Sequence, residues 1–117
     1  MIEQLIARVF HTRNAAHAAH WQTRSFAEHM ALGSFYDSAI ENLDPLVEAY
    51  MGIYGKIKDV PVINTPYPEM VALLTQDVRW IKSNASDITK DVSSLQNLLD
   101  NLSQTYLTTI YKLKNLS

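Results

Sequence analysis

Helix breakers are nearly absent from this chain except in one place. Of its three glycines and four prolines, Gly52, Gly55, Pro61, Pro66 and Pro68 all fall between residues 52 and 68. No segment alternates polar and apolar residues as a half-buried strand does. A chain punctuated in this way is confined to helices, with one long connection near residues 55–67. The apolar residues recur at the period helices need. Ile2, Leu5, Ile6, Val9 and Phe10 open a first helix over about 2–21. Thr23, Arg24 and Ser25 interrupt it, and Ser25 reads as an N-cap with Glu28 three residues on. A second helix is expected over about 26–54, its wide apolar face running from Leu32 and Phe35 through Leu43 and Leu46 to Ile53. Pro68 suits the first position of a third helix, which carries Met70, Leu73, Leu74, Val78 and Ile81 toward a turn somewhere in 84–92. The fourth is expected over about 93–115, with Lys112 and Lys114 in the last turn, where the helix dipole favours cations. Two short links and one long crossover between helices two and three make this an all-α four-helix bundle, a single domain over residues 1–117.

Pro45 is the awkward residue. Deep in the second helix it removes a hydrogen bond and crowds the carbonyl four residues back. The apolar period continues through it without a change of phase, so a kink near Glu41 is expected. The other reading is a helix that stops and restarts, with Asp44 as its cap.

Composition excludes several functions. Ten Lys and Arg against twelve Asp and Glu leave a net charge of −2, with no basic cluster, so DNA binding is not expected. There is no cysteine, hence no thiolate chemistry and no cysteine zinc site. No signal peptide and no membrane span is legible, and the chain reads as cytoplasmic.

One stripe carries potential chemistry. His29, Gly33, Asp37, Glu41, Asp44 and Glu48 share a sector of about 120° on the second helix, along one edge of its apolar face. Asp44 and Glu48, four residues apart, can grip one cation. His29 lies fifteen residues before Asp44, about 22 Å away along the axis, and cannot join them in the same subunit. The set closes only if a second copy lies antiparallel across a two-fold axis, with the crossing near Asp37. His20, at the end of the first helix, reaches the same place if residues 22–25 fold that helix back. The alternative is a solvated flank of an amphipathic helix, the commonest meaning of an acidic row beside an apolar face. His11 and His17 lack carboxylates at useful spacing and read as surface or packing residues. Trp21, Trp80 and the tyrosines read as core and interface anchors.

The order "HW", then "H", then "DxxxE" fifteen residues later resembles the Dps family, the mini-ferritins of the ferritin-like superfamily. The likeness centres on residues 10–55, and the later crossover and two helices keep the family's order. It implies a ferritin-like bundle whose metal site forms between two subunits on a two-fold axis. His20, His29, Asp44 and Glu48 are the implied metal ligands. The implied activity is Fe(II) binding, oxidation and storage, in a homo-oligomer of two-fold dimers up to a dodecameric shell; Zn or Mn also suits such donors. The pattern also resembles that of small phage proteins ending in a "YKLK"-type helix, a likeness that would imply a host cytoplasm. Three features depart from the family. Gly33 stands where an aspartate is usual, and Asp37, one turn on, is the candidate substitute. The spacing from His20 to His29 is short. No lysine-rich tail precedes the first helix. Beside iron storage stand two other expectations: a catalytically degenerate helical oligomer with a structural or interaction role, and an assembly merely glued by a cation.

Overall fold

The computed structural model describes all residues 1–117 and consists of four helices with no strand. They are α1 (Ile2–Gln22), α2 (Phe26–Tyr54), α3 (Met70–Thr89) and α4 (Ser93–Asn115). α1 packs on α2 and α3, and α4 packs on the same two, so the helices form a ring in the order α1, α2, α4, α3. Each helix turns its apolar stripe inward. Leu5 and Val9 of α1 meet Leu32, Phe35, Leu43 and Leu46 of α2, Leu74 and Ile81 of α3, and Leu95, Leu102 and Tyr106 of α4 in one continuous core. Full burial of side chains of this size stabilises by roughly 1.5–3 kcal/mol each, which is what holds four helices of ordinary propensity together.

Local chemistry sets the ends. The Ser25 hydroxyl accepts the Glu28 backbone N–H at 3.2 Å, which starts α2 where the capping signal lies. The Thr23 hydroxyl in turn accepts the Ser25 N–H at 3.2 Å. α3 begins later than Pro68 suggests. Glu69 is the cap, its carboxylate taking the N–H groups of Val71 and Ala72 at 2.8 and 3.0 Å, and Pro68 stays outside the helix. A negative charge at a helix N-terminus both fills orphan donors and opposes the dipole. The α3–α4 turn is residues 90–92. Lys90 and Asp91 adopt left-handed φ of 52° and 60° without being glycine. The Ser86 hydroxyl donates to Asp91 at 2.6 Å, and the Lys90 ammonium lies 4.1 Å from the Tyr54 ring centroid.

α2 runs unbroken through Pro45, so Asp44 does not cap a restarted helix. The carbonyl of Glu41 loses its usual donor there, and the exposure of Glu41, Asp44 and Pro45 lets water replace it.

The core holds one carboxylate. Asp77 sits on α3 between Leu73 and Ile81, on the buried face, and accepts three donors from two other helices. Tyr106 of α4 donates at 2.8 Å, Arg8 of α1 donates at 3.1 Å, and the Thr12 hydroxyl of α1 donates to the same oxygen as Tyr106. The Arg8 guanidinium also lies over the Trp80 ring, 4.7 Å from its centroid. Burial pushes the Asp77 carboxyl above the usual carboxylate range, while its donors pull it back. Burial, and then the Asp77 charge, push the Tyr106 hydroxyl well above its ordinary value, so it remains a donor.

Candidate metal centre

The α1–α2 corner brings His20 and His29 together. The three-residue link turns the chain back on itself, and each imidazole reaches the other residue's backbone. His20 Nδ1 donates to the His29 carbonyl at 2.6 Å, and His29 Nδ1 donates to the His20 carbonyl at 2.8 Å. A carbonyl oxygen only accepts, so both Nδ1 atoms carry hydrogen and, in the neutral rings, both Nε2 atoms carry the free lone pair. Neither Nε2 has a partner within the protomer, and no buried polar side-chain atom is unpaired, so both reach solvent. Fixing one ring nitrogen on a carbonyl is how proteins orient histidine for metal binding through the other.

The two rings stack, with centroids 3.7 Å apart and planes inclined by 18°. Lone pairs that lie in nearly parallel planes do not converge on one point. As stacked, His20 and His29 therefore serve two positions rather than one ion. The Tyr36 ring lies perpendicular to His20, with centroids 5.4 Å apart, and stacks on His17 at 4.1 Å, and His17 packs against Trp21 at 4.2 Å. His17 is thus a packing residue. Of the aromatic residues expected as core and interface anchors, Tyr106 alone is fully buried among the tyrosines and tryptophans, and Trp21 is exposed. Gly33, one turn after His29, lies directly against the His20 ring.

The carboxylates are elsewhere. Asp37, Glu41, Asp44 and Glu48 all lie exposed on the outer side of α2, and none of them forms an ion pair within the protomer. No group of three or more His, Asp or Glu side chains in one protomer could hold a metal ion. The His pair and the Asp44–Glu48 pair remain about 22 Å apart along the helix axis. A single protomer therefore offers two half-sets of ligands of complementary chemistry: neutral nitrogens at one end of α2, anionic oxygens toward the other.

Asp77 was not legible as a site residue, although a signal exists. The buried positions of α3 are 70, 73, 74, 77, 81, 88 and 89, and only position 77 among them is ionisable. Its three donors and its burial make it an internal tie between helices. A small cavity of about 180 Å³ lined by Arg8, His11, Thr65 and Gln76 reaches it from the crossover side.

The model of one protein family, described as a family of unknown function (DUF5856), matches residues 20–113, and the chain belongs to that family. No curated protein and no solved structure matches it. No helix is long and apolar enough to cross a membrane.

Proposed function

We propose that this DUF5856 protein binds a divalent transition metal in a site completed by a second copy of itself, with Fe(II) as the cargo it would take up, oxidise with dioxygen or peroxide as the electron acceptor, and store. The observation that carries the reading is the pair of imidazoles whose Nδ1 hydrogens are committed to carbonyls and whose Nε2 atoms are free. The partner subunit would add Asp44 and Glu48, hard oxygen donors whose two negative charges match one divalent ion. Imidazole and carboxylate together suit Fe(II), and equally Zn(II) or Mn(II). Apolar surface around the His pair supports burial against a partner: Trp21, Phe26 and Met30 are 71%, 77% and 56% exposed. One stacked imidazole would complete the tight position, and the other would face a second, weaker one.

The stack also favours a second reading. Reciprocal hydrogen bonds satisfy both rings as a clasp that locks the α1–α2 corner, as expected of a degenerate helical oligomer without metal turnover. Anaerobic Fe(II) titration followed by oxygen separates the two, since only the first gives a saturable, oxygen-dependent absorbance change. Size in solution with and without chelator separates a metal-glued assembly from either.

Subunit mixing tests the split site. Glu48→Gln should weaken metal binding by about ten- to a hundredfold or more, at least what losing a supporting partner costs. Glu41→Gln, on the same stripe, should change little. Mixing Glu48→Gln and His29→Ala subunits leaves one site of each mixed dimer doubly damaged and the other intact, so binding should partly recover. Equal harm from Glu41→Gln, or no recovery although heterodimers form, refutes the reading.

A further inference from the structure

The three glycines of the chain do different work. Gly55 ends α2 with a left-handed φ of 86°, and both Gly55 and Gly52 have open space where a Cβ would stand. Gly33 has no such backbone reason. It sits in the interior of α2, where glycine weakens a helix relative to alanine. What distinguishes it is contact. A Cβ there would lie 3.1 Å from His20 Cε1 and 3.2 Å from His20 Nδ1, closer than packed carbon atoms ordinarily come.

The ring cannot yield freely. His29 stacks on it, Tyr36 packs perpendicular to it, and its Nδ1 is held 2.6 Å from the His29 carbonyl. Any retreat from α2 lengthens that hydrogen bond and slides the stack apart. We infer that Gly33 is the positioning residue of His20: its missing side chain is the seat that lets the imidazole close on α2 and keeps Nε2 turned outward. The seat also bars a ligating side chain from position 33. A carboxylate placed there would compete with the imidazole for the same space. The negative charge of the site would then come wholly from the partner's acidic pair, enough for one divalent ion. The consequence for metal rests on the reading of His20 as a ligand; the seating of the ring does not.

The test is Gly33→Ala, with Gly52→Ala as the helix control. In long-range ¹H–¹⁵N spectra of the metal-free wild type, His20 should show a single Nδ1–H tautomer. In Gly33→Ala that signature should be lost, and Zn(II) affinity should fall about ten- to a hundredfold, as when a ligand loses the hydrogen bond that orients it. Gly52→Ala should leave both unchanged. Stability gives a further arm that does not involve metal. Alanine should lower the melting temperature when placed at 33 beside His20, yet raise it by about 5 °C in a His20→Ala background, where the space is free. Failure of the single variant to fold while the double variant folds is the extreme form of the same sign reversal. An unchanged His20 tautomer in Gly33→Ala, or a rise in melting temperature in both backgrounds, overturns the inference. A wild type that binds no metal defeats the proposed function and leaves the tautomer and stability arms in force.

Discussion

Replacing Asp77 with asparagine probes the tie between three helices with the least change of shape. The amide keeps one acceptor oxygen and exchanges the other for a donor. With its oxygen turned to Tyr106 and Thr12, its NH₂ confronts the Arg8 guanidinium, which donates at 3.1 Å in the wild type. Arg8 is a third exposed and can turn to water, so its loss is discounted to about 1 kcal/mol. The bonds from Tyr106 and Thr12 fall from charge-assisted to neutral, but burial outweighs the donors at this carboxyl, so relief from burying the charge offsets that loss. The net cost at pH 7 is about 1 kcal/mol, that of the Arg8 bond. Asp77→Ala leaves two buried hydroxyls without an acceptor and should cost about 3–5 kcal/mol, a large share of a small domain's stability. Urea unfolding at a series of pH values adds a signed test. Because burial raises the Asp77 carboxyl above 3.8, the folded protein keeps this proton in a range where the unfolded chain has lost it. Stability contributed by Asp77 is therefore fully present below 3.8 and declines as pH rises through the raised value. The advantage of wild type over Asp77→Asn should narrow with rising pH across that range. An asparagine variant as stable as wild type at pH 7, or an advantage that widens with pH, would show that this reasoning has the balance wrong.

Glu3 should behave in the opposite sense. The Lys58 backbone N–H holds its carboxyl below 4.5, so its contribution is present above that value and lost as pH falls through the lowered one; Glu3→Gln should flatten this part of the acid limb in thermal melts. Light scattering at micromolar concentration should give at least twice the chain mass of 13.3 kDa, and a stable monomer would remove the basis for a shared site. With a net charge of −2, gel retardation of duplex DNA at about 150 mM salt should be weak or absent, and a tight complex there would mean the surface has been misjudged.

Helices with a strong period and a recognisable cap could be read directly from the chain. Ser25 marks the start of α2, and the apolar face carries the helix past Pro45 to Gly55, as the structure has it. α3 was harder to bound, because proline is at home both in and just before a first turn, and it is the Glu69 carboxylate that decides. The α3–α4 turn left no glycine to find, since Lys90 and Asp91 take the left-handed conformation themselves. At the candidate site the residue types were legible, and so was the separation of His29 from the acidic pair along one helix. The reciprocal carbonyl bonds were not, because a ring's tautomer follows from where a second helix end is brought, and spacing says nothing of that. The Gly33 contact was hidden for the same reason: it joins residues from two helices across a corner.

The crossover over residues 55–69 is tied to α1 at two points. The Lys58 N–H donates to Glu3 at 2.9 Å, and His11 Nε2 lies 3.1 Å from the Thr65 carbonyl, with Tyr67 against the His11 ring. The anchors on α1 are eight residues apart, about 12 Å of helix. The seven residues from Lys58 to Thr65 have a contour of about 24 Å when fully drawn out. The strap therefore carries roughly twice the chain it needs, and Val62 at its crest is open to solvent. Slack of this kind decouples the bundle from the length of its connection: doubling a loop adds only about 0.6 kcal/mol of closure entropy. The crest near Val62 is thus where this fold can accept added sequence, or new chain ends, without a change in the register of its helices.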